Sequence, residues 1–173
     1  HMGGGRDVDD APLPTEYGFD KSLVCFEGLG NRILPNDPKK NLVDSKKLGR
    51  GVVSEAPDHL STQAYVDRAI EFISVNKNKP FFIRVTPGDV HDWHLPKPGA
   101  DEKWKKITDN PFEQKFFAVL EEVDYQVGRL VQHVDDLGLK ENTLIVFTSD
   151  NGPTDWPLYY EAGHEPPGFT GPF

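Results

Sequence analysis

NPFEQKFFAVLEEVDYQVGRLVQHVDDLGLKENTLIVFTSDNG, residues 110–152, is the stretch on which the fold turns. Within it Phe112, Phe116, Val119, Val123, Val127, Leu130 and Val134 recur three or four apart, the spacing that lays apolar side chains along one face of an α-helix. Asn110 is a residue type that caps helices, Pro111 suits a first helical position, and Gly138 stops the pattern. Thr143 to Thr148, TLIVFT, is uninterrupted apolar sequence that reads as a buried strand. A second strand precedes the helix in Phe81, Phe82, Ile83, Arg84 and Val85, bounded by Pro80 and Pro87. Strand, long helix and strand predict one βαβ crossover with both strands parallel, and so an α/β fold with a mostly parallel sheet.

Outward from this unit, Tyr65, Ala69 and Ile73, flanked by Val66 and Ile70, predict a helix from Ser61 to Asn76, with Ser61 as its cap. Residues 6–57 are rich in Gly, Pro, Asp and Lys, with short apolar islands such as Leu23 to Phe26. They predict loops carrying one or two short strands and no helix. Pro153 to Phe173 reads as loop throughout. His1 before Met2, followed by Gly3, Gly4 and Gly5, reads as a tag and cloning remnant. Residues 6–173 are then expected to be one domain, truncated at both ends.

The balance of 28 acidic to 19 basic residues gives a net charge of -9, the wrong sign for a partner of the nucleic-acid backbone. No apolar run approaches the roughly 20 residues that span a bilayer. Cys25 alone forms no intrachain disulfide, and a thiol in an apolar run is more often buried than nucleophilic. One thiol leaves the compartment open.

In parallel α/β sheets, ligands collect at the carboxyl ends of the strands, which directs attention to the loops after Val85 and Thr148. The first holds Asp89, His91, Trp93 and His94, and the second holds Asp150 and Asn151. A carboxylate beside an amide oxygen suits Ca²⁺ or Mg²⁺, but Asp-Asn-Gly is also ordinary turn chemistry. His91 and His94 have the chemistry of acid/base groups or zinc ligands, and equally of loop histidines satisfied by packing near a Trp. Gly28-Leu29-Gly30 lacks the strand and helix that a phosphate cradle requires. Trp93, Trp104 and Trp156 also fit a separate reading, a carbohydrate-binding or interaction module without metal. The acidic run Glu121, Glu122 and Asp124 reads as a solvated helix face.

The order of features resembles the formylglycine-dependent sulfatases of the alkaline phosphatase superfamily. The matching pieces are Tyr17-Gly18-Phe19-Asp20, Lys79-Pro80-Phe81-Phe82, Asp89-Val90-His91 with Leu95-Pro96, Glu122-Val123-Asp124 with Val127-Gly128-Arg129, and Asn142 through Gly152. The resemblance implies a partial sulfatase domain in which Asp150 and Asn151 ligate a divalent cation, Ca²⁺ or Mg²⁺. It implies that His91 contacts the sulfate and serves proton transfer at the leaving oxygen, with His94 as second choice. Asp124 and Arg129 match structural positions of the helix behind the site. The partners implied are sulfated small molecules or glycans, in an arylsulfatase-type reaction compatible with a periplasmic, secreted or lysosomal-type compartment. The family nucleophile, a formylglycine made from Cys or Ser in C/S-x-P/A-x-R, has no counterpart in these 173 residues. The chain alone is therefore expected to be inactive and, with sheet edges exposed, to self-associate. A phosphodiesterase or phosphatase relative of the same superfamily is the nearest alternative.

Overall fold

The computed structural model describes residues 12–24, 31–36, 51–91, 93–154 and 156–168. Residues 1–5, Asp9-Asp10, Cys25 and Gly28-Leu29-Gly30 lie outside them. Two compact units divide at Tyr65 and Val66. In the first, β1 (Arg32–Pro35) pairs in parallel with β2 (Val53–Ala56), in the register Arg32 to Val53 and Leu34 to Glu55. A parallel bridge from Val24 to Arg32 extends the pairing, and the Asn31 side-chain oxygen accepts from the Val52 amide at 3.1 Å where β2 begins. Leu34 is fully buried. A 3-10 turn at Pro14–Tyr17 supplies a helical element where loop alone was expected.

Helix α1 (Ser61–Asn76) has its predicted limits, but a 3-10 turn, Asp58–Leu60, leads into it. Ser61 already has helical dihedrals and its hydroxyl donates to the Asp58 carbonyl at 2.6 Å, so it is a first helical residue rather than the cap.

The second unit is organised by α2 (Pro111–Asp136). Its start follows the sequence: the Asn110 side chain accepts from the Phe112 amide at 2.9 Å, and the Thr108 hydroxyl donates to Glu113 at 2.5 Å. Its end is a Schellman turn, with the Leu139 amide on the Val134 carbonyl at 3.0 Å and the Gly138 amide on the Asp135 carbonyl at 2.8 Å. Gly138 has φ of 69° there, the left-handed conformation that glycine adopts without penalty. Val119, Val123 and Val134 are buried as the periodicity predicts, and so are Ala118, Gln114 and Gln126.

Gln126 is 1% exposed and is the centre of a polar chain. Lys97 pairs with Glu122 at 2.7 Å, and the Gln126 amide donates to the same carboxylate at 2.7 Å. The Arg129 guanidinium donates to the Gln126 oxygen at 2.6 Å and to Asp67 on α1 at 2.7 Å. Glu122 thus belongs to an internal network and not to a solvated face. Arg129 thereby links α2 to α1. His133 and Ser74 make a second polar link between the helices at 2.8 Å.

The expected strands on either side of α2 differ from prediction. Among the described residues neither Phe81–Val85 nor Thr143–Thr148 joins a ladder, so the βαβ crossover is not closed by strand pairing and the parallel sheet is β1 with β2. Residues 81–88 still alternate between half-buried and exposed, with Phe81, Ile83 and Val85 turned inward, the period-two pattern of a strand. Thr143–Thr148 lacks even that: Leu144 is 89%, Val146 75% and Phe147 77% exposed. The reason is physical, because a ladder needs a neighbouring strand, and among the described residues neither segment has one beside it. The final segment also departs from the loop expected, forming the short helix α3 (Pro157–Glu161).

Candidate functional site

The first two turns of α2 gather the loops that carry the candidate residues. His94 is buried, its ring 5.3 Å from that of Phe116. Its Nε2 lies 3.2 Å from the Val90 carbonyl oxygen, which only accepts, so this nitrogen carries the proton. Phe112, one turn earlier, meets Tyr159 of α3 edge-on at 4.9 Å and His164 at 5.6 Å. Gly168 lies so close to this cluster that a Cβ there would stand 2.9 Å from Pro153 Cγ and 3.8 Å from Phe116 Cζ. The loop around His94, the residues following Asn151, and the segment from α3 to Gly168 therefore converge on Phe112 and Phe116.

His91 sits differently. Its amide donates to the Gly88 carbonyl at 3.0 Å in a tight turn, and its exposed ring lies edge-on to Trp156 at 6.5 Å. Trp93 meets the same Trp156 at 6.3 Å with planes 72° apart. Asp89, between these histidine-bearing residues and the strand-like segment, is buried. Trp104 is elsewhere, packed on Phe117 at 5.3 Å.

Asp150 and Asn151 are both exposed. The Ser149 hydroxyl donates to the Asn151 carbonyl at 2.5 Å, and the Asn151 amide nitrogen donates to the Gly152 carbonyl at 2.9 Å. That arrangement leaves the amide oxygen, the atom that a hard cation prefers, outside the turn's own bonds. The donor chemistry fits Ca²⁺ or Mg²⁺, but the two side chains offer at most three of the six to eight oxygens typical of Ca²⁺. Among the described residues no group of three His, Cys, Asp or Glu side chains is placed to hold a metal. Among them, too, no helix is long and apolar enough to cross a membrane.

Sequence reasoning named His91, His94, Asp150 and Asn151. The structure joins His91 to Trp156 and His94 to Phe116; Asn151 is bonded within its own turn, and Asp150 is exposed beside it. The role of 156–168 in covering Phe112 and Phe116 was missed. The signal was present in Trp156-Pro157, since Pro is favoured at the first position of a helix.

The sulfatase family model matches residues 9–168. An N-acetylgalactosamine-6-O-sulfatase of Bacteroides thetaiotaomicron is 32% identical over 146 residues, covering 84% of this chain and 26% of the relative. An N-acetylgalactosamine-6-sulfatase of Rattus norvegicus is 28% identical, covering 80% of this chain and 27% of its own length. Arylsulfatase G of the same organism is 35% identical over 127 residues, covering 70% and 21%. The chain spans about a quarter of the length of these curated relatives.

Proposed function

This chain belongs to the sulfatase family, and from that premise we propose that it is part of an enzyme hydrolysing sulfate esters, to which it contributes His91, Asp150 and Asn151. The observation that carries the reading is the family match across residues 9–168. Relatives named for N-acetylgalactosamine 6-sulfate favour a sulfated hexosamine within a glycan as the substrate.

Hydrolysis of a sulfate ester needs positive charge against the non-bridging oxygens, an in-line nucleophile, and a proton for the leaving oxygen. His91, exposed and turned toward Trp156, is the residue proposed to deliver that proton. Asp150 and Asn151 are the residues proposed to hold a divalent cation, which when bound supplies positive charge at the sulfate. Their small donor number leaves the remaining ligands to other residues of the full-length protein. The nucleophile comes from outside this chain as well, since no C/S-x-P/A-x-R segment occurs in it. His94 is proposed to act by anchoring the His91 loop, because its ring is packed on Phe116.

The test is hydrolysis of 4-nitrophenyl sulfate with added Ca²⁺ by the 173-residue chain and by the full-length protein. Turnover by the full-length protein alone is expected. Turnover by the chain alone would place the nucleophile within it and overturn this division of the site. A full-length protein that cleaves 4-nitrophenyl phosphate but not the sulfate under the same conditions would move the reading to the phosphoryl branch of the superfamily.

A further inference from the structure

The chain contains three tryptophans, and they are used in two ways. Trp104 is half-buried against Phe117, with its indole nitrogen enclosed, and serves packing. Trp93 and Trp156 come from different loops and meet as a corner, 6.3 Å apart with planes at 72°. They remain 39% and 37% exposed.

Both sides of the corner are anchored from beneath. Trp93 directly precedes His94, which is buried on Phe116. Trp156 is the residue before α3, whose Tyr159 is 1% exposed and packed on Phe112. Two large apolar surfaces that already pack on each other, each beside an anchored residue, lose less conformational freedom on binding than separate ones would. The candidate proton donor shares the corner, since His91 lies 6.5 Å from Trp156.

We propose that Trp93 and Trp156 form a stacking corner for a pyranose ring, seating the sugar that carries the sulfate ester next to His91. This rests on the sulfated-sugar reading above and names the contact that recognises the sugar rather than the sulfate. A pyranose presents an apolar face of C–H groups within a rim of hydroxyls, which suits an indole with a wet edge. With a net charge of -9 the chain repels a polyanionic glycan at long range. An uncharged stacking contact holds the sugar without opposing that field.

The experiment measures affinities in the full-length protein by titration calorimetry, using N-acetylgalactosamine, its 6-sulfate and inorganic sulfate as probes. The variants are Trp93→Ala, Trp156→Ala, Trp93→Phe and, as a packing control, Trp104→Phe, each first checked for an unchanged melting temperature. Trp93→Ala and Trp156→Ala should each weaken both sugars by about tenfold or more while the affinity for inorganic sulfate stays the same. Trp93→Phe should restore most of the loss, and Trp104→Phe should change nothing. Should an alanine variant fail to fold, Trp93→Phe and a Trp156→Phe counterpart, with smaller stacking faces, should each show a small loss of sugar affinity with sulfate affinity unchanged. Sugar affinity unchanged by both alanine variants, lost in parallel with sulfate affinity, or absent in the wild type would overturn the proposal. Trp-dependent sugar binding in a protein that cleaves no sulfate ester would instead refute the sulfatase reading and leave the corner standing.

Discussion

His91 and His94 lie three positions apart in one loop, and their surroundings differ enough to assign them different work. His94 is 9% exposed, with Nε2 directed at the Val90 carbonyl and its ring tilted against that of Phe116. His91 is exposed at the aromatic corner. A group that exchanges protons with substrate must be reachable, whereas an imidazole packed on a ring holds structure. Replacing His91 by Ala in the full-length protein should lower kcat by roughly 100-fold to 10,000-fold, the usual worth of a positioned acid, and leave the melting temperature nearly unchanged. Replacing His94 by Ala should do the reverse, destabilising by about 1–3 kcal/mol through the stranded carbonyl and lost packing; chemical denaturation beside initial rates separates the two. At Asp150, conversion to Asn removes the charge that a divalent cation requires, and Ca²⁺ affinity measured by calorimetry should fall at least tenfold. An unchanged affinity would remove Asp150 from the proposed ligand set. All four candidates were named from the sequence because they follow apolar runs, but the difference between the histidines was not legible there. It depends on Phe116, more than 20 positions away, which a linear pattern does not connect to them.

At the scale of the element, α2 was legible from cap to stop because its signals are local. Asn110, Pro111, the apolar stripe and Gly138 act on backbone within a few residues of themselves, and each is found in its predicted place. Gln126 was not legible, because a polar residue on a helix reads as solvent-facing until its partners are known. It bonds to both Glu122 and Arg129, the two α2 side chains that hold Lys97 and Asp67. Gln126→Leu has similar volume but strands a carboxylate and a guanidinium bond, so a loss of about 1–3 kcal/mol is expected. A cost close to zero by urea denaturation would mean that water replaces the amide without penalty. The short helix α3 escaped prediction for another reason. It is held by Tyr159 on Phe112, and a helix of five residues lacks the length for a periodic signal.

For the molecule as a whole, the same locality explains why neither strand expected beside α2 is paired among the described residues. Thr143–Thr148 has the composition of a strand, but composition names a tendency and only a neighbour converts it into a ladder. In the described structure this segment is extensively exposed, with Leu144, Ile145, Val146 and Phe147 all outside the core. Six successive residues without charge, Pro or Gly make a template for pairing with another copy, the hazard of an unprotected edge. We therefore expect the chain alone to self-associate in a concentration-dependent way, despite a net charge of -9 that opposes it. Sedimentation velocity across a range of concentrations should show growing species for the wild-type chain. Val146→Lys should return it toward monomer, because a charge in mid-segment must be desolvated in every paired copy. Lys is equally exposed at that position in the monomer, so the substitution should leave the melting temperature of dilute chain within a few degrees. A wild-type chain that stays monomeric with a high cooperative melting temperature would mean that the segment is protected in solution. In that case the apolar run would have to be covered by residues of the chain itself.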